Sequence, residues 1–545
     1  MVIAFLFIPQ LAHQNSPIAI TSKTLIVFGF MALTSILFSQ CYCNRRRKHL
    51  VRRPPLPPGP KPWPLVGCLP TMLINKSPTH QWIHSVMKKL NTEIASIRLG
   101  NTYVIPVTSP ELALEFLKTY DSVFASRSST SNAIYILTRG YVSTILSPLG
   151  DQWKKMRRIL TSKILNPSTL HRMLGQRTAE ADTLLRYIFT QTNNNRGGAV
   201  INLRSITQHY CGNILRQMLF NRRYYGKGRE DGGPTFEEEE HVQALLTIVK
   251  HIHAFSISDF MPCLKSFDLD GHQKIMKNAL NILQKYDEPI IDERVQEWKD
   301  KKIKEVEDIL DILISLKDEN TNSLLSIEEI KAQITDLQIA TIDNPSNAVE
   351  WAMAELLNQP KILEKVVEEL DKVVGRERLV QESDIPKLKY LTACARESFR
   401  LHPFSSFNVP HISTSDIVVA GYFIPKGSEV LLSRSGLGRN PRVWEDPMRF
   451  DPERHLKDGT VELGISEPNL RFITFTRGRR GCAGSSLGTN ITMMLFARLL
   501  QGFTWSLMAG ITKIDLSDTG DLSLSKPLHL HAKPRLSHSM YPSLY

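Results

Sequence analysis

The sequence predicts a mainly helical protein with small β-sheets and an N-terminal transmembrane anchor. Apolar residues recur at three- and four-residue intervals in Ile327–Leu357 and Ile362–Val374, which is the spacing of one helix face. A run without charge, residues 24–44, stands near the N-terminus. The strand-like segments are short: Ile94–Leu99, Tyr103–Val107, Ile417–Val419 and Glu429–Leu432.

The anchor is predicted at residues 24–44. At about 1.5 Å per residue, a helix of that length spans the roughly 30 Å hydrocarbon layer of a bilayer. Arg45-Arg46-Arg47-Lys48 follows at once, and positive charge marks the cytosolic side. A cleaved signal peptide would carry its charges before the apolar run. We therefore predict an uncleaved single-pass anchor, within an N-terminal segment of residues 1–44.

Residues 45–64 form a basic and proline-rich linker. The prolines of Pro54–Pro64 exclude helix and predict a stiff, extended spacer. No internal repeat follows, so residues 65–545 are predicted to form one large domain. Within it, 226–240, including the acidic run Glu237–Glu240, is predicted to be an exposed loop before a helix.

Charge and cysteine content exclude several classes of function. The formal net charge is +13, but residues 1–53 hold seven lysines and arginines and no acid. The remainder is spread over the long domain, so nucleic-acid binding is not indicated. The seven cysteines are odd in number and contain no Cys-x-x-Cys pair, which argues against a zinc site or dithiol. Apart from Cys482, most are predicted to be buried thiols.

The segment Phe475–Gly484 carries the chemistry. Its glycines allow close approach of the backbone to a flat group, and Cys482 precedes a helix-like run, Leu487–Leu500. The positive end of that helix favours a thiolate, the form that binds iron. On these grounds alone a phosphate loop or a reactive thiol also stays open. The Gly-Lys-Ser/Thr of a phosphate loop is absent.

The pattern Phe-x-x-Gly-x-Arg-x-Cys-x-Gly resembles the cytochrome P450 family. It is met at Phe475, Gly478, Arg480, Cys482 and Gly484. The resemblance implies haem b with Cys482 as the axial ligand of iron, and O2 as oxidant. It also implies electrons from NADPH through NADPH–cytochrome P450 reductase. Residues 65–545 would then be the catalytic domain, facing the cytosol at the endoplasmic reticulum membrane.

Further motifs fall in the order that this family has. Glu397 and Arg400 stand at i and i+3 on one helix face, and the resemblance implies that they lock with Arg454. It also implies that four residues contact the haem propionates. These are Trp153, Arg157, His411 and Arg480.

The predicted oxygen-activating helix departs from the usual family pattern. Asp343 keeps the acid, but Thr341 takes the usual glycine position and Asn344 the usual threonine position. Pro345 predicts a kink. An amide cannot relay a proton as an alcohol does, but it can orient a water or a substrate. We predict that Thr341, Asp343 and Asn344 are the catalytic residues.

The stretch Asp343–Trp351 resembles the plant amino acid N-monooxygenases that form aldoximes. Further matches to that subfamily are 231–234, 258–262, 268–272, 404–411 and 421–427. The resemblance implies two N-hydroxylations of an L-amino acid, then dehydration and decarboxylation, in glucosinolate or cyanogenic glucoside biosynthesis. Arg477 and Gly484 depart from the residues usual in this subfamily.

A charged amino acid requires polar anchors in a mostly apolar pocket. The predicted pocket adds Arg127, Phe404, Phe407 and Asn408 to Thr341 and Asn344. Two alternatives stay open: a P450 that hydroxylates carbon in a terpenoid or phenolic, and a non-catalytic haem-binding membrane protein. The Asn344-Pro345 pair argues against the first.

Overall fold

Buried helices build most of the chain, as the periodicity predicts. The computed structural model describes residues 54–75, 77–193, 198–252, 254–519 and 523–542. The predicted anchor and residues 45–53 of the linker lie outside these ranges. Within them, no helix is both long and apolar enough to cross a bilayer.

The α-helices are numbered in chain order. They are α1 Leu69–Ile74, α2 Thr79–Lys89, α3 Pro110–Leu114, α4 Asp121–Phe124, α5 Asn132–Leu137, α6 Asp151–Ile159, α7 Pro167–Arg172, α8 Leu174–Asn193, α9 Leu203–Phe220, α10 Phe236–Ile252, α11 Ile257–Phe260, α12 His272–Lys299, α13 Ile309–Ser315, α14 Ile327–Ile342, α15 Asn344–Asn358, α16 Pro360–Val373, α17 Lys389–Leu401, α18 Arg434–Gly438, α19 Glu453–Lys457 and α20 Ser485–Gly502.

Three small sheets complete the described fold. Their strands are β1 Ile97–Leu99, β2 Thr102–Val107, β3 Ala199–Asn202, β4 His411–Ile412, β5 Ile417–Val419, β6 Tyr422–Ile424, β7 Glu429–Leu432, β8 Phe503–Ser506 and β9 His529–Pro534. The strand orders are β1-β2-β7-β4, β3-β9-β8 and β5-β6. β2 and β7 are parallel, and the other pairs are antiparallel.

Two local predictions need correction. The strand predicted over Ile94–Leu99 is shorter, because Ile94 makes only an isolated bridge to Val107. The acidic run Glu237–Glu240 is not loop but opens α10, where acidic side chains favour the positive end of the helix. Within that run, Glu238 is fully buried.

The predicted kink is a break between two helices. A capping box starts α14, in which Ser326 Oγ accepts from the Glu329 N–H and the Glu329 carboxylate accepts from the Ser326 N–H. The helix ends at Ile342, and α15 begins at Asn344 with Pro345 in its first turn. Proline has no N–H to donate and its ring clashes with the preceding turn, which favours an interruption here, although α12 continues through Pro289.

The described part of the proline-rich linker packs against the domain. The Pro58 carbonyl accepts from the Ser96 N–H at 2.8 Å, and the Pro55 carbonyl accepts from the Phe423 N–H at 2.8 Å. A Cβ at Gly59 would lie 1.9 Å from the Ser96 carbonyl oxygen, so only glycine permits this approach. The extended linker is therefore attached to the sheets rather than free of them.

The predicted Glu397–Arg400–Arg454 lock is present and buried. Arg400 donates to both Glu397 oxygens at 2.7 and 2.8 Å, and Arg454 Nε donates at 3.0 Å. His455 Nε2 lies 2.9 Å from the same carboxylate, which also accepts from the Asp451 N–H at 2.8 Å. Burial alone would raise the pKa of Glu397, but the hydrogen bonds from Arg400 and His455 lower it to about 2.

We expect Glu397→Gln to destabilise the protein by about 3–5 kcal/mol, because it leaves the Arg400 guanidinium buried without its counter-charge. The measurement is the free energy of unfolding in urea. Glu462→Gln is the matched control, since Glu462 pairs with Lys389 while 67% exposed, and its effect should stay within about 0.5 kcal/mol. Equal effects of the two substitutions would contradict the buried lock.

Candidate active site

The cysteine loop is a tight turn that leads into α20. The Cys482 N–H donates to the Phe475 carbonyl at 2.8 Å, and the Gly481 N–H donates to the Gly478 carbonyl at 2.9 Å. Gly478 has φ +81°, and a Cβ there would lie 2.3 Å from Asp121 Oδ1. The turn therefore requires glycine at 478.

Gly484, which stands where the subfamily often has alanine, occupies a position with room for a larger side chain. A Cβ at Gly484 would lie 3.8 Å from Leu165 Cδ1 and 3.9 Å from Cys482 Sγ, both ordinary contacts. The alanine common in the subfamily would fit. At the other departure, Arg477 donates to the Pro468 carbonyl at 2.9 Å and lies in a half-buried position.

Cys482 presents an open sulfur in a crowded region. Its side chain is exposed, whereas Cys68, Cys211 and Cys394 are buried as predicted and Cys263 is exposed. Burial among protein atoms raises the pKa of the Cys482 thiol, although the Gly484 N–H and nearby cations act in the opposite direction.

The prediction that the helix terminus favours a thiolate at Cys482 is therefore wrong for the protein chain by itself. Desolvation outweighs the Gly484 N–H and the nearby cations. Coordination to a metal cation deprotonates a thiol outright.

Four arginines surround this loop without a carboxylate partner among the described residues. They are Arg127, Arg157, Arg434 and Arg480. Burial lowers the pKa of Arg127 and of Arg434 to about 9. Burial, with repulsion from Arg127 and Arg157, lowers the pKa of Arg480 to about 8. Such uncompensated cations fit an anionic ligand.

Each of these four arginines donates to at least one backbone carbonyl. Arg480 Nε donates to the Ala125 carbonyl at 2.6 Å, and its Nη2 donates to the Ser147 carbonyl at 2.7 Å. The Arg480 guanidinium also lies 4.2 Å from the ring centre of Trp153. Arg157, which is predicted to contact a propionate, donates from Nη2 to the Gly481 carbonyl at 2.6 Å. This bond ties α6 to the cysteine loop.

Arg434 is a buried cation that sequence reasoning missed. It is 7% exposed, its Nη1 donates to the Ile473 carbonyl at 3.2 Å, and its Nε has no partner. Its guanidinium lies 4.1 Å from the ring centre of Phe404. An orphaned buried donor beside Cys482 fits a ligand with acidic groups.

His411 lies on β4 and is 1% exposed. Its Nδ1 is 2.9 Å from the Phe124 carbonyl, which fixes the ring and leaves Nε2 as the other polar atom. Burial and the charge of Arg127 hold the pKa of His411 well below its usual range. The side chain is therefore a neutral imidazole, and its contact with haem stays a prediction.

A cavity of about 810 Å³ lies among α10, α15 and the segment that precedes β4. Its wall includes four of the six predicted pocket residues: Arg127, Phe404, Phe407 and Asn408. Arg127 is already hydrogen-bonded to the backbone through Nε and Nη1. It donates to the Val409 and Pro410 carbonyls at 2.9 and 2.6 Å, and Nε donates to the Ile145 carbonyl.

The three predicted catalytic residues are placed differently. Asp343, at the break between α14 and α15, lines the cavity. Thr341 and Asn344 are described but lie outside its lining, and the Thr341 hydroxyl donates to the Leu337 carbonyl at 2.9 Å. The structure thus brings Asp343 to the pocket and leaves the roles of Thr341 and Asn344 as predictions.

Asp336 on α14 was also missed. Its Oδ2 accepts from the Thr144 and Ile145 N–H groups at 2.8 and 2.7 Å, and burial raises its pKa to about 6. Thr144 and Ser147 present their carbonyls to Arg480. Asp336 and Arg480 therefore hold opposite sides of one loop.

Comparison with known proteins identifies the family. The Cytochrome P450 family profile matches residues 57–532. The chain is a member of the cytochrome P450 family. The tryptophan N-monooxygenase of Prunus mume is 53% identical over 99% of this chain and 100% of its own length. The isoleucine N-monooxygenase 1 of Lotus japonicus is 52% identical over 94% and 97%. The phenylalanine N-monooxygenase of Arabidopsis thaliana is 53% identical over 90% and 93%.

Membership in the P450 family makes this chain a haem-thiolate monooxygenase, with O2 as oxidant and NADPH electrons supplied by a reductase. The residues present fit haem b. Cys482 offers an open sulfur, Gly478 permits the tight loop, and Arg434 is a buried cation without a carboxylate partner.

We expect Gly478→Ala to lower the haem-bound fraction sharply, with a destabilisation of at least about 2 kcal/mol from backbone strain and overlap with Asp121. Gly484→Ala is the control and should load haem normally. The measurements are haem content and the reduced carbon monoxide difference spectrum of the purified variants. Normal haem loading by Gly478→Ala would contradict the described loop.

Proposed function

We propose that this P450 converts an L-amino acid to its aldoxime. The observation that carries the proposal is the similarity, over nearly the whole chain, to relatives that are each named as the N-monooxygenase of an amino acid. The same comparison favours nitrogen oxidation over carbon hydroxylation of a terpenoid or phenolic.

The pocket supports a polar substrate. Its volume suits a small ligand, and its wall combines aromatic rings such as Phe404 with acids and amides such as Asp343 and Asn408. Haem, when bound, activates O2 for insertion of one oxygen atom. The chain has to bind and orient the amino acid, and Asp343 is one of the acids on the pocket wall that can hold or donate a proton.

The proposed reaction balances as follows. Two N-hydroxylations each consume one O2 and one NADPH and release one water. Loss of a further water and of CO2 then leaves the aldoxime. Glucosinolate or cyanogenic glucoside biosynthesis is the proposed destination of the product.

Relatives of nearly equal identity are named for tryptophan, isoleucine and phenylalanine. The decisive test is therefore a panel of phenylalanine, leucine, isoleucine, valine, methionine, tryptophan and tyrosine. Microsomes that contain this protein and its reductase should form an aldoxime from at least one of them when NADPH is added. Mass spectrometry of the product provides the measurement.

Cys482→Ala is the control that removes the thiolate ligand, and it should abolish aldoxime formation. Cys263→Ala is its match, because Cys263 is also an exposed thiol and should be dispensable. If no amino acid in the panel yields an aldoxime with a haem-loaded protein, the proposed function is wrong. Haem loading without NADPH consumption by any substrate would support the non-catalytic alternative.

We also propose that residues 24–44 anchor the protein in the endoplasmic reticulum membrane. The support is their lack of charge and the Arg45–Lys48 run that follows them. The catalytic domain would then share the cytosolic face with the reductase.

A chain that lacks residues 1–44 should leave the membrane fraction after an alkaline carbonate wash, whereas the full chain should stay. The physical reason is the loss of a segment long enough to span the bilayer. Immunoblots of the two fractions provide the measurement, with a known membrane-spanning protein as control. Extraction of the full chain by carbonate would disprove the anchor.

A further inference from the structure

Two buried amides on the cavity wall have unused hydrogen-bond donors. Asn347 on α15 is 5% exposed and Asn408, between α17 and β4, is 2% exposed. Both line the cavity, and the Nδ2 atom of each has no hydrogen-bond partner among the described residues. A buried donor without a partner is costly, so two of them among the residues that line one cavity point to a ligand that accepts from them.

The orientation of Asn408 is fixed before any ligand arrives. Its Oδ1 accepts from the Leu432 N–H at 2.7 Å, and its own N–H donates to the Leu432 carbonyl at 3.1 Å. These two bonds attach the residue to β7, so its remaining polar atom is the donor Nδ2. The hydrogen-bonding capacity that Asn408 has left is therefore that of a donor.

Asn347 is placed by the helix break. Its backbone N–H donates to the Asp343 carbonyl at 2.9 Å, which sets it one turn after the break in the first part of α15. Asp343 and Asn347 both line the cavity. An acid and an amide donor therefore stand one helical turn apart on the same wall.

Two charged groups of the wall make hydrogen bonds within the protein. Arg127 donates to backbone carbonyls. Glu350 accepts from Arg204 at 2.9 Å and from the Leu528 N–H at 2.9 Å. The unpartnered donors Asn347 and Asn408 are neutral, and the strong acceptor in a free amino acid is its carboxylate.

We infer that the Nδ2 groups of Asn347 and Asn408 bind the carboxylate of the amino acid substrate, an assignment that rests on the proposed function. Neutral donors suit a group that must leave as CO2. A buried arginine would stabilise the carboxylate of the ground state strongly and oppose its loss, because only interactions that persist in the transition state accelerate a step.

The test uses Asn347→Asp and Asn408→Asp in the full-length holoenzyme. Each change keeps the shape and the acceptor oxygen but replaces the donor with an acceptor of negative charge. Asn320→Asp is the control, because it adds the same charge in an exposed loop. The probes are L-phenylalanine with 2-phenylethylamine, and L-tryptophan with tryptamine, which differ within each pair only by the carboxylate. Calorimetry gives the Kd of each.

Each Asp variant should raise the Kd of the amino acid by about 10-fold or more, since a charge-assisted hydrogen bond is lost. The matching amine should bind within about 2-fold of the wild-type value or more tightly. The assignment of both residues would be overturned if a variant weakened binding of the amino acid and of the amine equally. It would also be overturned if only one of the two variants weakened binding of the amino acid selectively.

The wild-type panel separates this inference from the proposed function. Suppose that the wild-type enzyme makes an aldoxime but the Asp variants bind both ligands equally weakly. The assignment of Asn347 and Asn408 to the carboxylate is then wrong, and the proposed function stands. If no aldoxime forms, the function itself fails. Haem content of every variant is measured first. Asn408→Ser, whose hydroxyl can still accept from Leu432, replaces Asn408→Asp if that variant does not load haem.

Discussion

The buried carboxylate of Glu397 is the interaction on which the rest of the structure depends. An ionised acid is stable in this position only with its counter-charges in place, and Arg400, Arg454 and His455 supply the hydrogen bonds. Arg400 also donates to the Pro447 and Arg449 carbonyls. One ion pair within α17 thus fixes the path of the segment that runs from α18 to α19 and on toward the cysteine loop.

A second constraint acts around the cysteine loop, where the protein has buried cations and few counter-charges. In the neighbouring segment at Thr144, Asp336 accepts from the Thr144 N–H and Arg480 donates to the Thr144 carbonyl. Two acidic propionates on a bound haem would supply the missing negative charge. Cofactor binding and the stability of this region are therefore coupled, because binding to the folded state alone stabilises that state.

The sequence predicted the elements and motifs that are local in the chain. The disturbance of the helix at Pro345, predicted as a kink and observed as a break, the Glu397–Arg400 pair and the turn at Gly478 each follow from residues a few positions apart. Arg434, Asp336 and Asn347 were missed because their roles depend on neighbours that are distant in sequence. The sign of the Cys482 pKa shift was also wrong, since a helix terminus is visible in a sequence whereas the depth of burial is not.

Under the proposed function, groups at the helix break would meet both ends of a zwitterion. Pro345 has no N–H, so the Thr341 carbonyl four residues earlier loses its helical donor. Asp343 lies at this break and lines the cavity, and the donor of Asn347 follows one turn later. The α-ammonium and carboxylate of an amino acid are attached to the same carbon and need acceptors and donors at such close spacing. The break at which Asn344 replaces the usual threonine therefore also places an acid and an amide donor among the residues that line the cavity.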